Sequence, residues 1–135
     1  MKTKTNIFYG VLLVSMICVS SCKKEKDQQI PPTMSFKTGA GYTFANDSLP
    51  MNDTITVGIT AAKSEDKDLL TRFVTTQKYD MGTITTLLNE SFNQDTYSKD
   101  MQIITRNTAG TETYTYTIIN RDGLTKTLTL TFTVN

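Results

Sequence analysis

The sequence predicts an all-β domain, a two-sheet antiparallel β-sandwich, preceded by a signal peptide and a disordered tether. Three observations predict it. Threonine alternates with apolar residues at period two near the C-terminal end. Asp122 and Gly123 join two such runs, as a tight antiparallel hairpin requires. Turn residues break residues 33–135 at short intervals, and no stretch there carries a convincing helical period.

The N-terminus carries Lys2 and Lys4, then the apolar stretch 7–19, IFYGVLLVSMICV. At ~1.5 Å rise per residue this stretch is too short to cross a ~30 Å hydrocarbon core, and it fits the apolar region of a secretory signal. Val19, Ser20, Ser21 and Cys22 follow the order aliphatic, small, small, cysteine. That run resembles a bacterial lipobox. The resemblance implies that residues 1–21 are a lipoprotein signal peptide and that Cys22 is lipidated. Cys18 leaves with the signal, so the mature domain holds no disulfide, although export would permit one. Removing Lys2 and Lys4 leaves twelve basic against thirteen acidic side chains, a formal charge of −1. A near-neutral body needs its acyl chains to stay at a bilayer, at about 0.8 kcal/mol per buried methylene.

Residues 22–32 read as the lipidated cysteine and a flexible tether. The run KKEKDQQIPP, 23–32, is polar and charged, with Ile30 its single aliphatic residue. Ten residues reach at most ~35 Å, which keeps the domain close to the membrane. A charged run after the lipid cysteine resembles the surface-export signal of Bacteroidota lipoproteins, although lysine outnumbers acid here. The resemblance implies an outer-membrane location, with the cell surface favoured over the periplasmic face.

The strands follow in order. Residues 33–37 form an edge strand after Pro31 and Pro32. Ile55, Val57, Ile59 and Ala61 alternate with Thr54, Thr56, Gly58 and Thr60 in a half-buried strand. Residues 69–76, LLTRFVTT, form a more apolar one, and 83–88 and 101–105 are weaker strands. Tyr114, Tyr116 and Ile118 alternate with threonines, then Asn120, Arg121, Asp122 and Gly123 turn the chain. In the last strand Leu128, Leu130, Phe132 and Val134 face one way and Thr125, Thr127, Thr129, Thr131 and Thr133 the other. Six or seven short strands without a helix argue a two-sheet sandwich, with a small barrel as the rival fold.

The segment GTETYTYTIINRDGLTKTLTLTFTV, 110–134, resembles the closing strands of bacterial Ig-like and PKD-like domains. The resemblance implies an Ig-like sandwich over 33–135, without the buried tryptophan and disulfide of antibody domains.

Composition excludes several chemistries. The chain has no histidine, which removes Ser-His-Asp and Cys-His catalysis and histidine metal sites. Its two cysteines exclude a four-thiolate zinc site. A formal charge of +1 gives no basic field for nucleic acid. Ser64 between Lys63 and Lys67 is a Ser-Lys pair on paper, and reads better as a solvated loop. The loops holding Glu65, Asp66 and Asp68, then Asp95, then Asp122 fall at one end of a sandwich. They show no alternating calcium-type spacing, and Lys63, Lys67 and Arg121 compete for the same acids. No catalytic residue, metal or cofactor is expected, and the chain reads as no enzyme. Tyr42, Phe44, Tyr79 and Tyr97 lie near predicted loops, as a glycan platform or as plugs for the core. Asp47-Ser48-Leu49 and Asp53-Thr54-Ile55 resemble the O-glycosylation tripeptide of exported Bacteroidota proteins, which marks Ser48 and Thr54 as acceptors. The expected function is a lipid-anchored cell-envelope protein whose single domain binds a protein or glycan partner. The alternative is a structural coat without a specific ligand.

Overall fold

The computed structural model of the chain describes residues 29–135. The expected signal peptide, Cys22 and most of the expected tether lie outside the described residues. The strands are β1 (Thr33–Phe36), β2 (Asp47–Leu49), β3 (Thr54–Ala62), β4 (Leu70–Tyr79), β5 (Ile84–Gln94), β6 (Thr96–Ile104), β7 (Gly110–Asn120) and β8 (Thr125–Val134). They form a three-stranded sheet, β1-β3-β6, and a five-stranded sheet, β2-β8-β7-β4-β5. The protein is an all-β, two-sheet sandwich. Neighbouring strands run antiparallel, except that β2 lies parallel to β8.

The layers close on the alternation in the sequence. Tyr114, Tyr116 and Ile118 of β7 and Leu130, Phe132 and Val134 of β8 are buried, with the intervening threonines less so. Val57, Ile59 and Ala61 of β3 oppose them from the smaller sheet. Phe36 meets Tyr116 edge-on at 5.6 Å between ring centroids, and Phe73 lies 4.8 Å from Tyr97. Such offset and edge contacts suit the aromatic quadrupole.

Three strands differ from expectation. β5 runs to Gln94 and β6 begins at Thr96, so Asp95 alone separates them. The chain crosses there from the large sheet, where β5 pairs β4, to the small sheet, where β6 pairs β3. Tyr97, expected near a loop, is buried in β6 and stacks on Phe92 at 4.7 Å. β2 is three residues long and was not foreseen.

The two ends of the sandwich are distinct. The chain arrives beside the β3–β4 loop, where Ile30 N donates to Glu65 Oε1 and Ser64 Oγ donates to the Pro31 carbonyl. The β5–β6 and β7–β8 turns share this end, through Lys63 N on the Asp95 carbonyl and Arg121 N on the Leu69 carbonyl. At the far end gather the β2–β3 loop, the β4–β5 turn and the β6–β7 loop. Among the described residues, no helix is long and apolar enough to cross a membrane.

Candidate functional site

The far end is organised by Arg106, just past β6. Its guanidinium takes both carboxylate oxygens of Asp80, at 2.7 and 3.1 Å, and Nη2 also donates to the Ala109 carbonyl at 2.8 Å. A bidentate pair of this kind fixes orientation as well as position. Asp80 Oδ1 accepts a further hydrogen bond from Thr111 N at 2.7 Å. Arg106, with help from that amide, holds the Asp80 carboxyl below the usual carboxylate range. The Arg106 carbonyl accepts from Asn52 N, its own N–H donates to Glu112 Oε1 at 2.6 Å, and its charge sits 5.4 Å from the Tyr79 ring centroid. One side chain and its backbone thus bind the β2–β3 loop, the β4–β5 turn and the start of β7.

Gly110 makes room for this. Its φ of +146° favours glycine, and a Cβ there would fall on the Arg106 guanidinium. Behind Arg106, Glu112 is fully buried and accepts the Tyr114 hydroxyl at 2.7 Å. Gln77 Nε2 donates to both Tyr114 and Tyr79 oxygens, at 2.7 and 2.8 Å. Burial, then the bond to Glu112, pushes the Tyr114 hydroxyl well above its ordinary range.

Over this polar frame stand apolar side chains. Met81 on the β4–β5 turn is 91% exposed and Ile84 64%. Tyr79 and, from the β2–β3 loop, Met51 are also exposed. Soluble surfaces carry single apolar residues without consequence, but methionines beside an aromatic and an arginine are the composition of protein contact sites. Chemically, the arrangement offers exposed apolar side chains on a charge-locked base. Sequence reasoning missed it, because nothing local sets Arg106 opposite Asp80.

The tether end brings together the acidic loops as strand alternation anticipated, and then consumes them singly. Lys63 pairs with Asp95 at 2.9 Å and donates to the Asp66 carbonyl. Glu65 holds Ile30 N, and Asp122 stands 3.8 Å from Arg121. Asp68 is buried, taking Asn120 Nδ2 on one oxygen and Leu69 N on the other. Among the described residues, no three acidic side chains converge as metal ligands would. Ser64 spends its hydroxyl on the Pro31 carbonyl rather than on a lysine.

The O-glycosylation candidates are both exposed. Ser48 lies on β2, its hydroxyl 3.4 Å from the Thr133 carbonyl, and Thr54 opens β3. The four aromatic residues do not form one platform. Tyr97 is core, Tyr79 belongs to the Arg106 end, and Phe44 is exposed elsewhere. Tyr42 leans over the outer face of the small sheet at Gly58, donating to Asp100 Oδ2 at 3.1 Å beside the Lys37–Asp100 pair at 2.6 Å. Beyond them on that face lies a shallow hollow of about 410 Å³ floored by Thr33, Ser35, Thr60, Thr96 and Ser98.

No family model and no curated protein matches the chain. Among solved structures, the chain is similar to a superoxide reductase (neelaredoxin) from Ignicoccus hospitalis, with TM-score 0.53, 5% identity, and coverage of 78% of this chain and 81% of that one. It also matches a conjugate transposon protein from Bacteroides vulgatus, with TM-score 0.47, 14% identity, and coverage of 83% and 91%. The first match corrects the expectation that this chain is no enzyme, because an enzyme is built on the same fold. That expectation rested on missing side-chain types, which exclude particular reactions, whereas a sandwich takes its chemistry from whatever its loops carry. At 5% identity the likeness is one of fold alone.

Proposed function

We propose that the chain is a lipid-anchored lipoprotein of the outer membrane, tethered through Cys22, whose Ig-like domain docks a protein partner at the Arg106 end. The observation that carries this reading is Met81, almost wholly exposed on a turn that the Asp80–Arg106 pair holds rigid. A turn whose backbone is already held loses less freedom on binding than a loose one, which is where association gains its surplus. The tether supports the direction. Ile30 and Pro31 are held at the opposite end, so the Arg106 end faces away from a bilayer anchor. On the cell surface that end meets other molecules first.

A photo-crosslinking side chain at position 81 on intact cells tests the reading. The expected result is one stoichiometric crosslinked protein that is lost in Met81→Asp and in Cys22→Ser, the second because the chain leaves the membrane. Diffuse or absent crosslinks would favour the coat reading.

A glycan reading rests on the other surface, the hydroxyl-floored hollow bordered by Tyr42, Lys37 and Asp100. Titration with cell-surface polysaccharide, read by Tyr42 fluorescence quenching against Tyr42→Ala, separates the two. Ser48 and Thr54 are the proposed O-glycan acceptors, and intact-mass measurement of Ser48→Ala and Thr54→Ala variants checks them.

A further inference from the structure

The sandwich is lopsided. Three strands face five, and the shortfall lies on one side. Phe36 of β1 covers Tyr116 of β7, and Met101 of β6 covers Thr75 of β4, whose hydroxyl lies 3.5 Å from its sulfur. Near Gln94, Tyr97 of β6 still covers Phe92 of β5. Toward the other end of β5 nothing among the described residues covers Leu87, which is 47% exposed. A cleft of about 240 Å³ opens there, lined by Leu87 and Leu88 of β5 and by Met101 and Ile103 of β6, with Lys99 and Gln102 at its rim.

Among the described residues, β6 borders that cleft with an unpaired margin. It pairs β3 through nine residues, Thr96 to Ile104, with no break in register. β5, by contrast, is offset from β4 at two places, and bulges of that kind discourage pairing along an edge. The β1 and β2 margins are four and three residues long. Thus one long, regular row of backbone donors and acceptors runs beside an uncovered apolar cleft.

We propose that β6 accepts a further antiparallel or parallel strand from a partner protein, an extended uncharged segment with aliphatic residues at alternate positions. Such a strand becomes the fourth of the small sheet. Its alternate side chains enter the cleft against Leu87, Leu88 and Met101, and its backbone takes the free side of β6. Charge selects the neutral segment. Lys99 is bound to Glu90 at 2.7 Å and Asp100 to Lys37 at 2.6 Å, so the margin offers no unpaired charge to a charged strand. The tether of this chain does not fit, because residues 23–28 are KKEKDQ. A second copy paired β6 to β6 about Asp100 or about Lys99 would set like charges opposite each other, which is destabilising. The cleft adjoins the Arg106 end along β5 and β6, but its lining residues are different ones and the proposal does not rest on that docking reading.

The test is hydrogen–deuterium exchange of the full chain in detergent micelles, with an acetylated peptide of alternating valine and threonine flanked by lysines. The expected result is slowed exchange of β6 amides at least several-fold, with none in β1 or β2. A peptide with aspartate in place of valine gives no protection, and Leu87→Lys, at an exposed site that leaves the fold intact, removes it. No protection at millimolar peptide overturns the proposal. So does protection mapped to β5 alone, protection that survives Leu87→Lys, or β6 protected by self-association before any peptide is added.

Discussion

The Tyr114 hydroxyl donates to Glu112 Oε2 at 2.7 Å, and both side chains are fully buried on the inward face of β7. Two residues on, Tyr116 is equally buried, yet among the described residues its hydroxyl meets no hydrogen-bond partner. The same atom type therefore has opposite value at two neighbouring positions. Tyr114→Phe leaves a carboxylate oxygen unsatisfied and is expected to cost about 1–3 kcal/mol. Tyr116→Phe removes an orphan and is expected to leave stability unchanged or raise it. Chemical denaturation of both variants checks this, and equal losses would contradict it.

Alkaline pH should unfold the domain through the same residues. Burial raises the hydroxyls of Tyr97, Tyr114 and Tyr116, reinforced in the first two by Glu90 and Glu112. A raised folded-state value means stability that is complete below the unfolded tyrosine value of about 10 and is lost as pH rises beyond it. Tyrosinate absorbance from the buried three should therefore appear only together with loss of sheet signal. A single smooth titration with the fold intact would contradict this.

Much of the fold was legible, and the parts that were not have a physical cause. In β7 one face is buried from Glu112 to Asn120 and in β8 from Leu130 to Val134, so burial wrote its period into the sequence. β5 overhangs the smaller sheet, only Leu88, Glu90 and Phe92 are partly buried, and one of those inward positions is a glutamate, so ITTLLNESFNQ shows no clear apolar period and its second half read as a loop. Tyr97 was set beside a loop for the same reason, although as a plug for the core it was foreseen, and its burial depends on Phe73 and Phe92 in the other sheet. The Asp-Gly turn was clear because Gly123 needs its φ of +81°. The convergence of the charged loops at the tether end followed from strand alternation. Arg106 did not follow, because its partner Asp80 lies 26 residues away on another turn.

Asn120 closes the tether end as Arg106 closes the other. Its Nδ2 reaches Asp68 Oδ2 and its Oδ1 takes Leu124 N, each at 2.7 Å. Asn120→Ala strips a buried carboxylate of one donor and should cost about 2–3 kcal/mol. Asn120→Asp keeps the shape but sets two carboxylates together, so one must hold its proton to higher pH than usual. That variant should regain stability as pH falls from neutral to about 5, where the parent gains none. Thermal melts of the two proteins across that range measure the difference.

Gly110→Ala tests whether the Arg106 end is built as one piece. The new methyl meets two obstacles, a backbone at φ +146° and the space already held by the guanidinium. Strain at such a position costs on the order of 1–3 kcal/mol, and the arginine must also leave Asp80. Once it leaves, the β4–β5 turn keeps Thr111 N on Asp80 Oδ1 and its backbone links, Asp80 N on the Thr111 carbonyl and Gly82 N on the Tyr79 carbonyl. Exchange of amides 80–83 and 106–111 should quicken together, while β3 and β8 amides change only by the global loss of stability. Arg106→Lys should reproduce the local loosening without the backbone strain, because an ammonium cannot make the paired contact with Asp80. If the two variants loosen different segments, the Asp80–Arg106 pair is not what holds that end rigid.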